Sequence, residues 1–325
     1  VLQIYEPNKN NVIAFDIGGN ENFPDAAIWI DLLSPSPDEV HFIEAQLEIE
    51  LPTHDEIKEI EASSRLFTEN GVFYMNATVL SRADSEHPES TAIGFILAAG
   101  KLVTVRYADP LPFRSFKAIL ERKAYSCATG EAVFAGLVEA IVERLADILE
   151  RVGAELDKLS GDVFLTTSDG RKVGNRNFQD ILVRVGRSGN LTSKTRESLV
   201  SIGRIAAFVT QKPEVKGARA FRLRLKTISR DVISLGDYAS FLSSKVNFLL
   251  DATLGMINIE QNTIIKIFSI AAVVFLPPTL IASMYGMNFN FMPELQWHFG
   301  YPFAIFMMVS SAILPFLYFK FKGWL

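Results

Sequence analysis

The sequence is poor in the residues that carry most enzyme chemistry. Its 325 residues include one cysteine, Cys127, and four histidines. A single thiol closes no internal disulfide and cannot build a cysteine-ligated zinc cluster. His41, His54, His87 and His298 do not have metal-ligand spacing, and no nucleophile–base pair accompanies them, so an enzyme has no residues to rest on. Basic residues are not in excess either: 32 Lys and Arg face 37 Asp and Glu, a formal charge of -5, which speaks against a general nucleic-acid binder. There is no GxxxxGK[ST], and "DIGGNEN" at 16–22 has glycines without the helix pattern of a phosphate cradle. The first residues, "VLQIYEPNKNN", lack a basic segment followed by an apolar one and do not read as a signal peptide.

What the chain has is apolar length. Residues 267–287 and 299–319 are uncharged runs, each about 20 residues, the length that spans a hydrocarbon core as a helix. Buried core helices are the soluble alternative, but soluble cores seldom need uncharged runs this long. Lys266 precedes the first run, and Lys320 and Lys322 follow the second. The connecting loop has Glu294 and His298 but no Lys or Arg. Positive flanks stay in the cytoplasm, which puts both termini inside and the loop outside. Trp297 and Tyr301 suit the outer interface, and Tyr318 and Trp324 the inner one. The expected location is a bacterial inner membrane, with the bulk of the chain in the cytoplasm.

The expected organisation is an α+β cytoplasmic domain, long helices, and a two-helix transmembrane hairpin. Residues 1–125 form the α+β part. In it "AIWIDL" reads as a strand, and "SPDEVHFIEAQL" and "THDEIKEIEASS" as helices capped by Ser36 and Thr53. "VFYMNATVL" reads as a strand and "TAIGFILAAGKLVTVRY" as a hairpin across Ala99-Gly100. Residues 126–263 are helical, interrupted at "TTSDGRKVGN" and "KPEVKG", with a long stalk helix from about 218. Residues 264–325 hold the first span (about 264–286), the outer loop (287–299), the second span (about 300–320) and a basic tail.

Two lines run along the stalk helix. Phe221, Leu225, Ile228, Val232, Leu235, Ala239, Leu242, Val246 and Leu249 recur in steps of four and three, the seam of a packed helix. Gly236 and Gly255 weaken the helix without breaking it. A second line, Asp251, Asn258, Asn262, Ile265, Ser269, Ala272, Leu276, Thr279, Ser283 and Gly286, is acidic or amide below the membrane and mostly small or hydroxylated within it. Close packing between membrane helices accounts for Ala272 and Ser283. A pore lining accounts for the whole line, since polar residues in a membrane often mark ion paths. One such helix cannot enclose a pore, so the pore reading requires identical subunits. Pro277-Pro278 should kink the helix and free carbonyls, for packing or for a water-filled lumen to satisfy.

The line ends at Gly286, Met287 and Asn288. "YGMNF", followed by "MPEL", "W", "FGYP" and a second span ending "YFKFKGWL", resembles the CorA family of divalent-cation channels, as does "INIEQNTIIKIFSIAAVVFLPPTLIASMYGMN" before it. The resemblance covers 257–325. It implies a funnel-shaped homopentamer with a pore made by the first span, and uptake of Mg²⁺ with Co²⁺ and Ni²⁺ as further substrates. It also implies that Gly286, Met287 and Asn288 form the outer filter, that Thr279, Leu276, Phe268 and Asn262 face the pore, and that Asp251 rings its inner mouth. Phe268 stands one place off the polar line. Intracellular Mg²⁺ would act as a gating ligand, with Asp231 resembling one regulatory acid. Its partner is not identified; Asp84, Glu86 and Glu89 lie in an acidic loop but match no motif. Glu294 would attract cations outside or be an ordinary surface acid.

The physics suits this cargo. Mg²⁺ holds its waters tightly, and a ring of neutral carboxamides can hydrogen-bond the hydrated ion without stripping it. The membrane potential supplies about 2.3 kcal/mol per charge per 100 mV, roughly double for a divalent ion, so no organic cofactor is needed. Two rivals stand beside it. A zinc-transporting branch shares the Gly-x-Asn triplet, though "MPEL" at 292–295 favours Mg²⁺. A membrane-tethered sensor or scaffold would conduct nothing.

Overall fold

The computed structural model describes every residue except 8–10, 18–22, 60, 62–64, 123–126, 165–177, 212–218, 289–291 and 324–325. Most of "DIGGNEN", all of "TTSDGRKVGN" and "KPEVKG", the expected boundary at 125 and Trp324 therefore lie outside the described residues. The chain forms two compact units, Val1–Leu250 and Asp251–Leu325.

The first unit begins with seven strands: β1 (Leu2–Glu6), β2 (Asn11–Ala14), β3 (Trp29–Leu33), β4 (Leu66–Glu69), β5 (Val72–Ser81), β6 (Glu89–Ala98) and β7 (Lys101–Arg106). They form one sheet in the order β2-β1-β3-β7-β6-β5-β4. Neighbours are antiparallel except β3 and β7, which pair in parallel from Trp29↔Leu102 to Leu33↔Arg106. Two tight turns fix the register. Ala99 (φ 47) and Gly100 (φ 78) join β6 to β7, and Asn70 (φ 48) and Gly71 (φ 82) join β4 to β5. Left-handed values at both central residues match the strand twist.

Helix α1 (Pro37–Leu47) starts at Ser36 and α2 (His54–Lys58) at Thr53. Both starts are full capping boxes: the hydroxyl accepts from the N3 amide, while Glu39 or Glu56 accepts from the cap amide. Helix α3 (Leu111–Glu121) buries Phe113 and Phe116 close to Trp29, with ring centroids at 6.4 and 5.8 Å. Between β3, β7 and α3 lies a buried charge network. The Asp31 carboxylate accepts from Arg106 Nη2 (2.8 Å), Lys117 Nζ (2.6 Å) and Thr104 Oγ1 (2.7 Å). Asp31 and Arg106 are each 1% exposed. Burial alone would raise the Asp31 carboxyl, but the hydrogen bonds and charges of Arg106 and Lys117 outweigh it and hold it below its ordinary value.

Three long helices follow: α4 (Gly130–Phe164), α5 (Phe178–Gln211) and α6 (Arg219–Tyr285). Gly130 seats α4 on the sheet. Its N–H donates to Gly100 O at 2.7 Å, and a Cβ there would stand 2.5 Å from Leu102 N. The obstacle is backbone and cannot rotate away. Gly130→Ala is therefore expected to destabilise the first unit by about 1–3 kcal/mol, seen as an earlier melt of the full chain.

The seam on α6 is the packed face: Phe221, Leu225, Ile228, Val232, Ala239, Leu242, Val246 and Leu249 are all buried, and Leu235 is half-buried. Phe221 meets Phe134 of α4 edge to face. Val232 and Val246 approach Gly203 and Gly189 of α5, where an added Cβ would lie 3.0 and 3.1 Å from their methyls. Helix α6 continues unbroken through Gly236 and Gly255. Cys127, just before α4, is buried, and burial pushes its thiol up to about 11.

The second unit holds the C-terminal part of α6, a 3-10 turn (Pro293–Gln296) and α7 (Gly300–Phe321). Of the described helices, α6 and α7 are long and apolar enough to cross a membrane.

Candidate functional site

The site is built on the C-terminal half of α6, from Asp251 onward. Asp251, Asn258, Asn262, Ile265, Ser269, Ala272, Leu276, Thr279 and Ser283 are all exposed, Ile265 at 60% and Leu276 at 66%. The less exposed positions are Thr263, Ile270, Ala271, Val274, Pro277, Pro278, Ile281 and Tyr285. At roughly 100° per residue these two sets centre on opposite sides of the helix. The polar line is thus one continuous open face, with the more covered apolar positions behind it. Phe268, 72% exposed, stands about three turns before Thr279 and so shares its side of the helix, despite being one place off the line.

Hydroxyl chemistry on this part of the helix is set by the backbone. Thr279 Oγ1 donates to Phe275 O at 2.7 Å, and Thr263 Oγ1 to Ile259 O at 2.9 Å. The proton of Thr279 is committed to the helix, so its oxygen presents lone pairs outward as an acceptor. Pro277 and Pro278 sit inside the helix and deprive the carbonyls of Val273 and Val274 of their usual donors.

The helix stops at Tyr285. Gly286 N–H donates to Ala282 O at 3.0 Å, and Met287 N–H to Met284 O at 3.4 Å. A Cβ on Gly286 would lie 3.2 Å from Ala282 O, so the residue serves close approach to its own preceding turn. Met287 and Asn288 follow, both exposed. Glu294 lies in the 3-10 turn, and its side chain is outside the described residues. Trp297 packs edge to face on Phe303 at 5.7 Å, while Tyr301 is 78% exposed. At the other end of α7, Lys322 Nζ lies 5.4 Å from the Tyr318 ring centroid.

In the first unit Asp231 is exposed on α6, next to buried Val232. The acidic loop is not a set of free carboxylates. Asp84 pairs with Arg144 (2.5 Å) and Arg151 (2.6 Å), Glu86 with Arg187 (2.9 Å) and Glu89 with Arg82 (3.1 Å). Burial would raise the Asp84 carboxyl, but hydrogen bonding and charge from Arg151 and Arg144 hold it below its ordinary value. The sequence did not reveal the pairings of Asp84 and Glu86, because Arg144, Arg151 and Arg187 lie on α4 and α5, far along the chain. Among the described residues of the single chain, no three His, Cys, Asp or Glu side chains converge to hold a metal.

Known proteins place this arrangement. The family described as CorA-like Mg²⁺ transporter protein matches residues 24–320. The magnesium transport protein CorA of Salmonella typhimurium (strain LT2) is 35% identical over 325 residues, covering 100% of both chains. That of Escherichia coli (strain K12) is 35% identical over 327 residues, again 100% of both. Among solved structures, the CorA magnesium transporter of Methanocaldococcus jannaschii superposes with a TM-score of 0.73 over 94% of each chain at 17% identity, a likeness of fold. With its two membrane-spanning helices at the C-terminal end and a match across nearly its full length, this chain belongs to the CorA-like Mg²⁺ transporter family.

Proposed function

We propose that five copies of the chain form a ring in which the last third of α6 lines a pore, and that Mg²⁺ passes through it into the cytoplasm still hydrated. The open polar face from Asp251 to Gly286, ending at Asn288, carries this reading. Five-fold repetition turns each of its positions into a coaxial ring. Waters around Mg²⁺ point their hydrogens outward, so a passing hydrated ion needs acceptors. The Asn288 carboxamide oxygens and the Thr279 oxygens are acceptors of that kind. Gly286 and Met287 complete the filter with Asn288. A charged ring there would hold the ion too long for rapid release.

Below the filter, Leu276 and Phe268 form apolar constrictions that close by dewetting, with Ile265, Ser269 and Ala272 between and beside them. Asn262, Asn258 and Asp251 continue the path inward. Glu294 concentrates cations at the outer mouth. Co²⁺ and Ni²⁺, similarly hydrated, follow the same path. Residues 1–125 and 126–263 form the cytoplasmic part, 264–325 the membrane part, and both termini face the cytoplasm of a bacterial inner membrane. Intracellular Mg²⁺ bound by Asp231 with a carboxylate of a neighbouring copy closes the pore; among the described residues of a single chain no such cluster assembles.

The test is stopped-flow uptake into liposomes at set voltage, together with the mass of the purified assembly. Expected are Mg²⁺ flux that grows with inside-negative potential and a particle of five 36.2 kDa chains. Zn²⁺ flux without Mg²⁺ flux would reassign the cargo. No flux of any divalent ion would leave a tethered sensor.

A further inference from the structure

The arginines of α4 and α5 are largely matched by carboxylates: Arg144 and Arg151 by Asp84, Arg184 by Glu155 at 2.6 Å, and Arg187 by Glu86. Arg196 and Arg204, further along α5, are different. Neither forms an ion pair or side-chain hydrogen bond with any described residue, and both are exposed. With Arg65 they line a cavity of about 390 Å³. A second cavity of about 340 Å³ adjoins it, sharing Arg65, Thr78 and Glu197 and adding His54 and Lys58. The combined cleft, between α5, the sheet and α2, gathers five basic side chains and one carboxylate. That carboxylate, Glu197, already accepts from Ser90 Oγ at 3.0 Å.

A second observation points inward. Thr78 lines both cavities and is 7% exposed. Its backbone N–H is taken by Ser201 Oγ at 2.9 Å, but its hydroxyl has no partner among the described residues. A concave site with unmatched guanidiniums and an unpartnered threonine hydroxyl at its wall is built for a ligand rich in anionic oxygens. The backbones of Arg196 and Arg204 are separated by about 12 Å along the helix, a span that a chain of phosphates can bridge. At the other end, His54 and Tyr107 form a ring pair with centroids 4.0 Å apart, an aromatic wall beyond the charges.

We infer that this cleft binds a polyphosphate anion, either a nucleoside triphosphate or an inorganic polyphosphate. The test is calorimetric titration of the full-length protein in detergent, Mg²⁺-free and at low salt, with ATP, sodium tripolyphosphate and AMP. ATP and tripolyphosphate should both bind. The double variant Arg196→Gln/Arg204→Gln should weaken both by at least tenfold, while Arg122→Gln, an exposed arginine outside the cleft, leaves them unchanged. ATP binding more tightly than tripolyphosphate assigns the aromatic wall to a base; equal affinities assign the site to the phosphate chain alone. Absence of binding by both anions at millimolar concentration overturns the inference. So does AMP binding as tightly as ATP, or an unaltered affinity in the double variant. Should that variant fail to fold, wild-type binding must still saturate at one anion per chain and weaken with added salt; salt-independent binding overturns it.

Discussion

Asn288→Ala is expected to lower Mg²⁺ uptake by on the order of 100-fold at fixed voltage. The side chain is exposed just past the end of α6 and is not a packing element, so the folded chain should survive its loss. In a ring, removing it deletes one acceptor per subunit from the hydrated ion. If two or three hydrogen bonds of about 1 kcal/mol each are lost, the sum is about 3 kcal/mol, or roughly two powers of ten. Competitive uptake by wild-type and variant protein in the same liposomes is the measurement. An unchanged rate, or an unchanged preference among Mg²⁺, Co²⁺ and Ni²⁺, would remove the filter from the proposed mechanism. Asn288→Asp offers the opposite perturbation. A ring of carboxylates should bind the ion more firmly and release it more slowly, so affinity rises while maximal flux falls.

The largest expected effect on stability lies far from the pore. Asp31→Ala leaves the Arg106 guanidinium buried with only the exposed Asp109 carboxylate beside it (2.7 Å), and takes the carboxylate from Lys117, which is mostly buried. Breaking a buried pair from one side costs about 3–5 kcal/mol. For a unit of this size the melting temperature of the full-length protein should fall by roughly 10 °C. A melt within a degree of wild type would mean that the network is solvated in solution. Replacing Asp31 and Arg106 together with apolar residues should cost less than Asp31→Ala alone, because the fully buried guanidinium is then gone and only Lys117, 15% exposed, is left without its carboxylate.

The same network predicts an acid limit. The folded Asp31 carboxyl is held below its ordinary value, so its contribution is complete above the unfolded carboxylate range, about 3.9. It is lost as pH falls through the folded value. Wild type should therefore lose an increment of stability in acid that the Asp31→Ala variant has already lost at neutral pH.

Local signals in the sequence did most of their work locally. Ser36 and Thr53 marked helix starts because a cap needs only three residues of context, and the structure shows both capping boxes. Ala99-Gly100 marked a hairpin, and the stretch Phe221–Leu249 marked a buried seam, because each repeats over a few turns or pairs. Strand β4 escaped notice although Asn70-Gly71 is the turn signal that would have found it. The parallel pairing of β3 with β7 joins residues far apart in sequence, and periodicity has no memory of such distances. The acidic loop misled for the same reason, since its charges are cancelled by arginines on later helices. For the candidate site, the sequence supplied the positions of the polar line and the structure supplied its openness.

The lone thiol has a practical consequence. Sealed behind the start of α4 and with its ionisation pushed up to about 11, Cys127 presents roughly one thiolate in ten thousand at neutral pH. The native chain is therefore close to silent toward maleimides and thiosulfonates. Reporter cysteines introduced one at a time at Ser269, Ala272 or Thr279 could be read against that quiet background without engineering the natural one away, and their labelling rates would map which positions see solvent.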